Sequence, residues 1–599
     1  MSKPSANNPA WGIPDGLLTM PPSPELREQL KKALADARSG ADVLLTEKLG
    51  FAKVPRTLGF DDGVIFPPDS FPFGTPLAAI RNAAAERAPL RGVLRVIVVL
   101  VQFSDKPFGN TSQRFKDLFF STGVLPHGSV KEYFKAVSGG LVDITGDVVG
   151  PFTMPQTMAW YANGNSGLGT QTVAGRANAM ARDAAMAANA SIDFSHYDND
   201  GNGYVDAFIV VHAGSGAEQT GDKNDIWSHK WTLPAVMAAD GKNIYSYLTI
   251  PEDARLGVCA HELGHLLFGL PDLYDTDNSS EGIGNWCLMA GGSWNGGGDI
   301  PAHPSAWCKM TQGWVTVKNV TSSGTLSFSD VKTQKQIYRL WKDGGSGSEY
   351  FLIENRQKTG YDAALPGSGL LIWHIDESQP SNTDQNHYKV ALVQADNLKD
   401  LELDKNRGDS GDPYPGTSNN TSFNATSSPN SKSYANQTTC VSITNISPSG
   451  PVITAKVAVS CFVKNVLADT KIIAEGKHLR DKLLEKHLEK RKEVEKGSKE
   501  LVELPGDGSF RPPIPLTQSS PNVSNALHQQ IALLEARLSA LEAGRQPTTA
   551  AEPFISAALR PALQVELIRN PAIDELQTKM EAGDRDAKRQ FDTIPIWNA

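Results

Sequence analysis

The chain has no apolar run long enough to cross a membrane. Its longest, Val93 to Phe103 (VLRVIVVLVQF), is about half the roughly 20 residues a spanning helix needs, and it carries Arg95. That stretch reads as a buried β-strand. An excess of positive charge is also missing: 57 Lys and Arg stand against 66 Asp and Glu, a formal net charge of −9. This excludes the basic footprint that nucleic acid or an anionic membrane selects. Cysteine is scarce. Cys259, Cys287, Cys308, Cys440 and Cys461 are too few and too scattered for a disulfide scaffold, and their odd number leaves at least one unpaired within a monomer. The first forty residues contain no apolar core of the kind an ordinary signal peptide uses.

What is present suits an ordinary globular protein, with 40% apolar and 21% charged residues, and 53 Gly with 38 Pro point to many turns. A chain of 599 residues exceeds what one core organises, so several units are expected. Residues 1–90 read as a leader, with one amphipathic helix capped by Ser23 and carrying Leu26, Leu30 and Leu34. Residues 91–318 alternate strand-like runs with helix-like ones, including the Ala-rich Thr172–Ala190, which predicts an α/β (α+β) domain. Residues 319–461 hold short runs such as EYFLIENR and GLLIWHID between Gly, Pro, Asn and Asp turns, which predicts an antiparallel β-rich domain. Residues 462–599 read as a helical tail with a Pro-rich linker. Leu527, Ile531, Leu534, Leu538 and Leu541 trace a short heptad seam there, a candidate for self-association or for packing within the tail.

The chemistry is concentrated after Cys259, where the chain reads AHELGHLLFGLPDLYD. His261 and His265 lie four apart, so in a helix both imidazoles share one face and reach one ion. A catalytic zinc takes three protein ligands and keeps a position open for water. The third ligand expected is Asp272: Gly269 can adopt the left-handed conformation that ends a helix, and Leu270-Pro271 then turns the carboxylate back to the metal. This extends HExxH toward the longer pattern HExxHxxGxxD. Leu263, Leu266 and Leu267 on the other helix face are expected to bury against the core. Glu262, beside the first ligand, is placed to take a proton from attacking water and give it to the leaving amine.

Together with GIGNWCLMAGGSWNGGGDIPAHPSAWCKMTQGW, LRVIVVLVQFSDKPF, SVKEYFKAVSGGLVDITGDVVG and FSHYDNDGNGYVDAFIVVHAGSGAEQ, this segment resembles the immune inhibitor A family of metallopeptidases, in the metzincin group. The resemblance runs from about Val93 to Cys461. It implies a zinc endopeptidase acting on proteins or peptides, made as a latent precursor and exported. It also implies that Met289 forms an apolar floor under the metal ligands; without it, Met289 is a core residue. Glu281, or a water, is the alternative to Asp272 as third ligand. The leader would block the cleft, with Asp61 and Asp62 as candidate zinc-blocking groups.

Asp198, Asp200, Asn202, Tyr204 (through its carbonyl) and Asp206 reproduce most of a calcium loop, although Ile209 stands where an EF-hand has its bidentate Glu. An Asx-rich turn is the alternative. Asp396, Asp400, Asp404, Asp409 and Asp412 read as a solvated surface. Cys287 and Cys308 read either as a disulfide or as two buried thiols. His229 and His374 read as packed histidines, not ligands. Two other functions fit the same residues: an assembly protein that works through its helical tail, with a vestigial protease unit, and a zinc amidase acting on non-protein substrates.

Overall fold

The computed structural model describes residues 20–38, 66–67, 70–72, 75, 90–168, 174–276 and 278–461. The heptad segment and Asp61 and Asp62 lie outside the described residues. The chain divides into Met1–Cys461 and Phe462–Ala599, and everything below concerns the first unit.

The first helix, α1 (Pro24–Arg38), starts where expected: the Leu26 N–H donates to the Ser23 hydroxyl at 3.2 Å, and Leu26 is buried. Next come β1 (Gly92–Gln102), α2 (Ser112–Phe120), α3 (Val130–Val137), β2 (Val142–Thr153), α4 (Ala177–Ala188), β3 (Phe208–His212), β4 (His229–Ala239), β5 (Lys242–Pro251) and α5 (Leu256–Phe268). These strands form one sheet in the order β2-β1-β3-β5-β4. Four run parallel, and β4 returns antiparallel along β5 as the edge strand. A parallel strand covered on both faces has no solvent side, so β1 and β3 are continuous runs of Val, Ile and Leu. Helix α3 opens with a full capping box: Ser129 and Glu132 satisfy each other's backbone N–H groups.

After α6 (Ala306–Thr311), the strands β6 (Thr316–Asn319), β7 (Gly324–Ser329), β8 (Gln336–Leu340), β9 (Glu349–Arg356), β10 (Gly369–Asp376), β11 (Val390–Leu392), β12 (Ser422–Phe423), β13 (Ser442–Thr444) and β14 (Val452–Ala458) build two further sheets, β11-β10-β9-β8-β6 and β12-β13-β14-β7. Pairing is antiparallel except for β6 with β8. Alternation along β9 and β10 divides their side chains between two cores. Leu352, Leu371, Trp373 and Ile375 join the core of the first sheet and α5, while Phe351, Ile353, Leu370 and Ile372 face the third sheet.

The structure settles the cysteine alternatives. Cys440 and Cys461 form a disulfide, flanking β13 and β14, whereas Cys259, Cys287 and Cys308 are free and buried. Among the described residues no helix is long and apolar enough to cross a membrane.

Candidate active site

Every residue of α5 is buried. A helix that is apolar nearly all round belongs inside a domain, and α5 lies between β5 and the loop that carries Met289. Gly269 caps it with φ 60° and ψ 23°, its N–H reaching back to the Gly264 and His265 carbonyls. The spacing corrects the pattern expected from sequence. Gly269 and Asp272 follow His265 by four and seven residues, each one more than in HExxHxxGxxD. The extra residue, Phe268, extends the helix; its ring packs on Phe134 and Trp314, with centroids 5.1 Å away in each case.

The turn nevertheless returns Asp272 to the histidines. Its Oδ1 lies 3.1 Å from His261 Nε2 and 3.2 Å from His265 Nε2, and the two Nε2 atoms are 3.1 Å apart. Each ring is held from behind, His261 Nδ1 by the Leu288 carbonyl at 3.0 Å and His265 Nδ1 by the Leu270 carbonyl at 2.6 Å. A carbonyl can only accept, so Nδ1 carries the hydrogen and Nε2 presents a lone pair. Burial lowers the His265 pKa, which favours that neutral form. In that tautomer two lone pairs and a carboxylate converge. This arrangement is repulsive without a cation, and tetrahedral zinc with ligands at about 2.0–2.1 Å would space them about 3.3 Å apart. The donor set fits the ion. Glu281, the alternative ligand, is engaged elsewhere, by Arg27, Lys31 and Arg407.

Both Glu262 carboxylate oxygens are buried without a hydrogen-bond partner. Burial first, then Asp272 and Glu218, pushes this carboxyl well above the usual range, against a weaker opposing pull from the Met20 backbone N–H, which lies near it without meeting hydrogen-bond geometry. Met289 lies against the same helix: a Cβ at Gly264 would meet its sulfur at 2.5 Å, so only glycine allows this approach. The segment around Met289 is itself anchored from the β-rich part. Arg356 of β9, fully buried, donates to Asp362 through Nε at 2.7 Å and also reaches the Trp286 and His303 carbonyls.

Sequence reasoning expected residues 1–90 to block the cleft but did not point to Met20–Ser23. Met20, Pro21, Pro22 and Ser23 are all buried, and the Met20 backbone N–H lies close enough to the Glu262 carboxyl to oppose its upward shift. Met20 N–H donates to the Ser228 carbonyl at 3.2 Å, the Trp227 indole N–H donates to the Met20 carbonyl at 2.8 Å, and the Trp294 indole N–H donates to the Pro21 carbonyl at 2.7 Å. Ser23 N–H donates to the Glu218 carbonyl at 2.7 Å. The only sequence signals were indoles flanking the site and a Pro-Pro pair that leaves its carbonyls available.

Among the other expected groups, Asp198, Asp200 and Asp206 do converge. The Lys242 ammonium sits 2.7 Å from Asp198, and the Asn202 side-chain oxygen accepts the Tyr204 N–H. The second acidic group is not the solvated surface expected. Asp396, Asp409 and Asp412 converge, with Asp412 buried under the Trp286 indole, and Asp404 pairs with Arg27 and Lys31. His229 is packed between Trp227 O at 2.6 Å and the Tyr247 hydroxyl at 2.9 Å, and His374 stacks on Tyr434. Neither takes part in the metal-like cluster.

Comparison with known proteins bears on the segment that holds this cluster. Residues 93–320 match the family described as immune inhibitor A peptidase M6, catalytic domain. The resemblance drawn from the motifs is thus borne out for the part of the chain that holds α5 and Met289. Immune inhibitor A of Bacillus thuringiensis subsp. alesti is 35% identical over 198 residues, 28% of this chain and 28% of that protein. The pre-pro-metalloprotease PrtV of Vibrio cholerae serotype O1 is 29% identical over 273 residues, 36% of this chain and 29% of that protein. The match spans less than a third of the length of either relative.

Proposed function

We propose that the chain is a zinc-dependent endopeptidase made as a latent precursor. The observation that carries this reading is the buried triad of His261 Nε2, His265 Nε2 and Asp272 Oδ1, mutually 3.1–3.2 Å apart, beside a carboxyl with no partner. His261, His265 and Asp272 would hold the zinc, which supplies Lewis-acid polarisation of a scissile carbonyl and lowers the pKa of a water to about 7. Glu262 takes the proton of the attacking water and delivers it to the leaving amine. Leu288 and Leu270 keep the two imidazoles in the ligating tautomer through their carbonyls, and Met289 fills the space beneath the helix.

Latency follows from Met20 to Ser23. The Met20 backbone lies beside Glu262, and this strap is tied down by two indoles and backbone hydrogen bonds, so a substrate chain would have to displace it. The Asp198–Asp206 loop is read as a structural calcium site in which the ion would compete with Lys242 for Asp198.

The test is casein cleavage by the full chain before and after limited proteolysis, with a chelator control and Glu262→Ala. Cleavage that appears on processing and vanishes with Glu262→Ala or chelation is expected. Cleavage that survives Glu262→Ala would overturn the assignment.

A further inference from the structure

Seven residues after Met20, the leader places one guanidinium in a socket on the domain it covers. Arg27 is 6% exposed, and its whole fork is used: Nε donates to Glu281 Oε1 at 2.9 Å, Nη1 to Asn278 Oδ1 at 2.5 Å, and Nη2 to the Ser280 carbonyl at 2.8 Å and to Asp404 Oδ1 at 2.9 Å. Lys31, one turn later, adds its ammonium to Glu281 at 2.8 Å and Asp404 at 3.0 Å. The small gap beside the socket is lined by Pro21 and Pro22 on the leader side and Tyr274, Gly291 and Trp294 on the other, so the socket adjoins the strap that crosses the site.

The walls do not depend on the leader. Glu281 N–H donates to the Leu401 carbonyl at 2.9 Å, Asn285 N–H to the Arg407 carbonyl at 2.8 Å, and Lys405 N–H to the Asp400 carbonyl at 2.9 Å. These bonds fasten the two loops to each other and fold the second on itself, whether or not Arg27 is present. Without the leader, the socket keeps Glu281 and Asp404 against one cation among the described residues, Arg407, whose Nε is 3.6 Å from Glu281. It would be left as an anionic pocket with acceptors placed for a planar fork. An ammonium donates from one nitrogen: Lys31 reaches the two acidic walls, Glu281 and Asp404, whereas the Arg27 fork also spans to Asn278 and the Ser280 carbonyl.

We propose that this socket is a guanidinium-recognition subsite of the unmasked enzyme, occupied by Arg27 in the precursor and by a substrate arginine afterwards. This rests on the endopeptidase reading, since a substrate chain entering the site would follow the trace of the strap. It also gives the β-rich part, through Asp404, a share in substrate selection as well as in holding the leader.

Two measurements test it separately from the protease reading. In the full chain carrying Arg27→Ala, millimolar ethylguanidinium should raise the thermal midpoint, ethylammonium should do so far less, and adding Glu281→Gln or Asp404→Asn should abolish the effect. In the processed enzyme, a cleaved casein peptide should lose roughly 10-fold in kcat/KM, through KM, when its arginines are replaced by citrulline, and Glu281→Gln should erase the difference. Using both Glu281→Gln and Asp404→Asn guards against one variant failing to fold. Equal response to ethylguanidinium and ethylammonium, or an arginine preference unchanged in both variants while casein is still cut, would overturn the subsite and leave the protease reading standing. If wild-type chain never cuts casein, the protease reading fails, and with it the substrate role; the midpoint data then still decide whether the socket binds a guanidinium.

Discussion

The Nδ1 of His261 lies 3.0 Å from the carbonyl oxygen of Leu288, the residue before Met289. One loop thus performs two tasks: its carbonyl fixes the tautomer of a candidate ligand, and its next side chain packs against the helix that carries that ligand. Gly264→Ala should disturb both, because the new Cβ would meet the Met289 sulfur at 2.5 Å. Overpacking of this kind costs about 1–3 kcal/mol. A lower thermal midpoint together with weaker zinc retention on dialysis is expected; an unchanged metal affinity would separate Met289 from the site.

Arg356 and Asp362 form a buried ion pair whose other contacts run to Trp286, His303 and Glu354. Burial alone would raise the Asp362 carboxyl, but Arg356 and His303 outweigh it and hold it far below the usual range. Arg356→Met leaves two carboxylates buried without this partner, which typically costs about 3–5 kcal/mol. Urea unfolding should show a loss of that order. Restoration by Asp362→Asn in the Arg356→Met background would show that the stranded charge is the cause.

Acid lability should come partly from two fully buried histidines. Burial lowers the His212 pKa to about 4 and the His229 pKa to about 3. Both are neutral when folded, whereas the unfolded chain takes up protons below about 6.5. Stability is therefore full above pH 6.5 and is lost as pH falls toward 4, by about 3 kcal/mol for His212. The slope of the midpoint against pH between 6.5 and 4 should flatten in His212→Gln, whatever its absolute midpoint.

Much of this was legible in the sequence, and the exceptions share a cause. The parallel core shows as Val and Ile runs in β1 and β3, and the ligand pair as His261 and His265, because both follow from local periodicity. The return of Asp272 was legible too, although the turn is one residue longer than expected, since Phe268 finds an aromatic pocket formed by Phe134 and Trp314. The Arg27 socket was not legible: Glu281 and Asp404 come from loops more than a hundred residues apart, and no local pattern links them to an arginine of α1. The Cys440–Cys461 bond was hidden for the same reason, since only the pairing of β13 with β14 brings the two residues together.

The catalytic role of Glu262 predicts a division between binding and rate. Glu262→Gln should lower casein hydrolysis by the processed enzyme about 10²–10⁴-fold, the usual contribution of a general acid/base, with its zinc content unchanged. An equal loss of zinc would make Glu262 structural rather than catalytic.

The most direct measurement is zinc per chain by elemental analysis after dialysis, in wild type, Glu262→Gln and Asp272→Ala. The proposed site predicts stoichiometric zinc in the first two and its loss in the third. Wild-type protein that folds but retains no zinc, or Asp272→Ala that retains as much as wild type, would contradict the metal site at His261, His265 and Asp272.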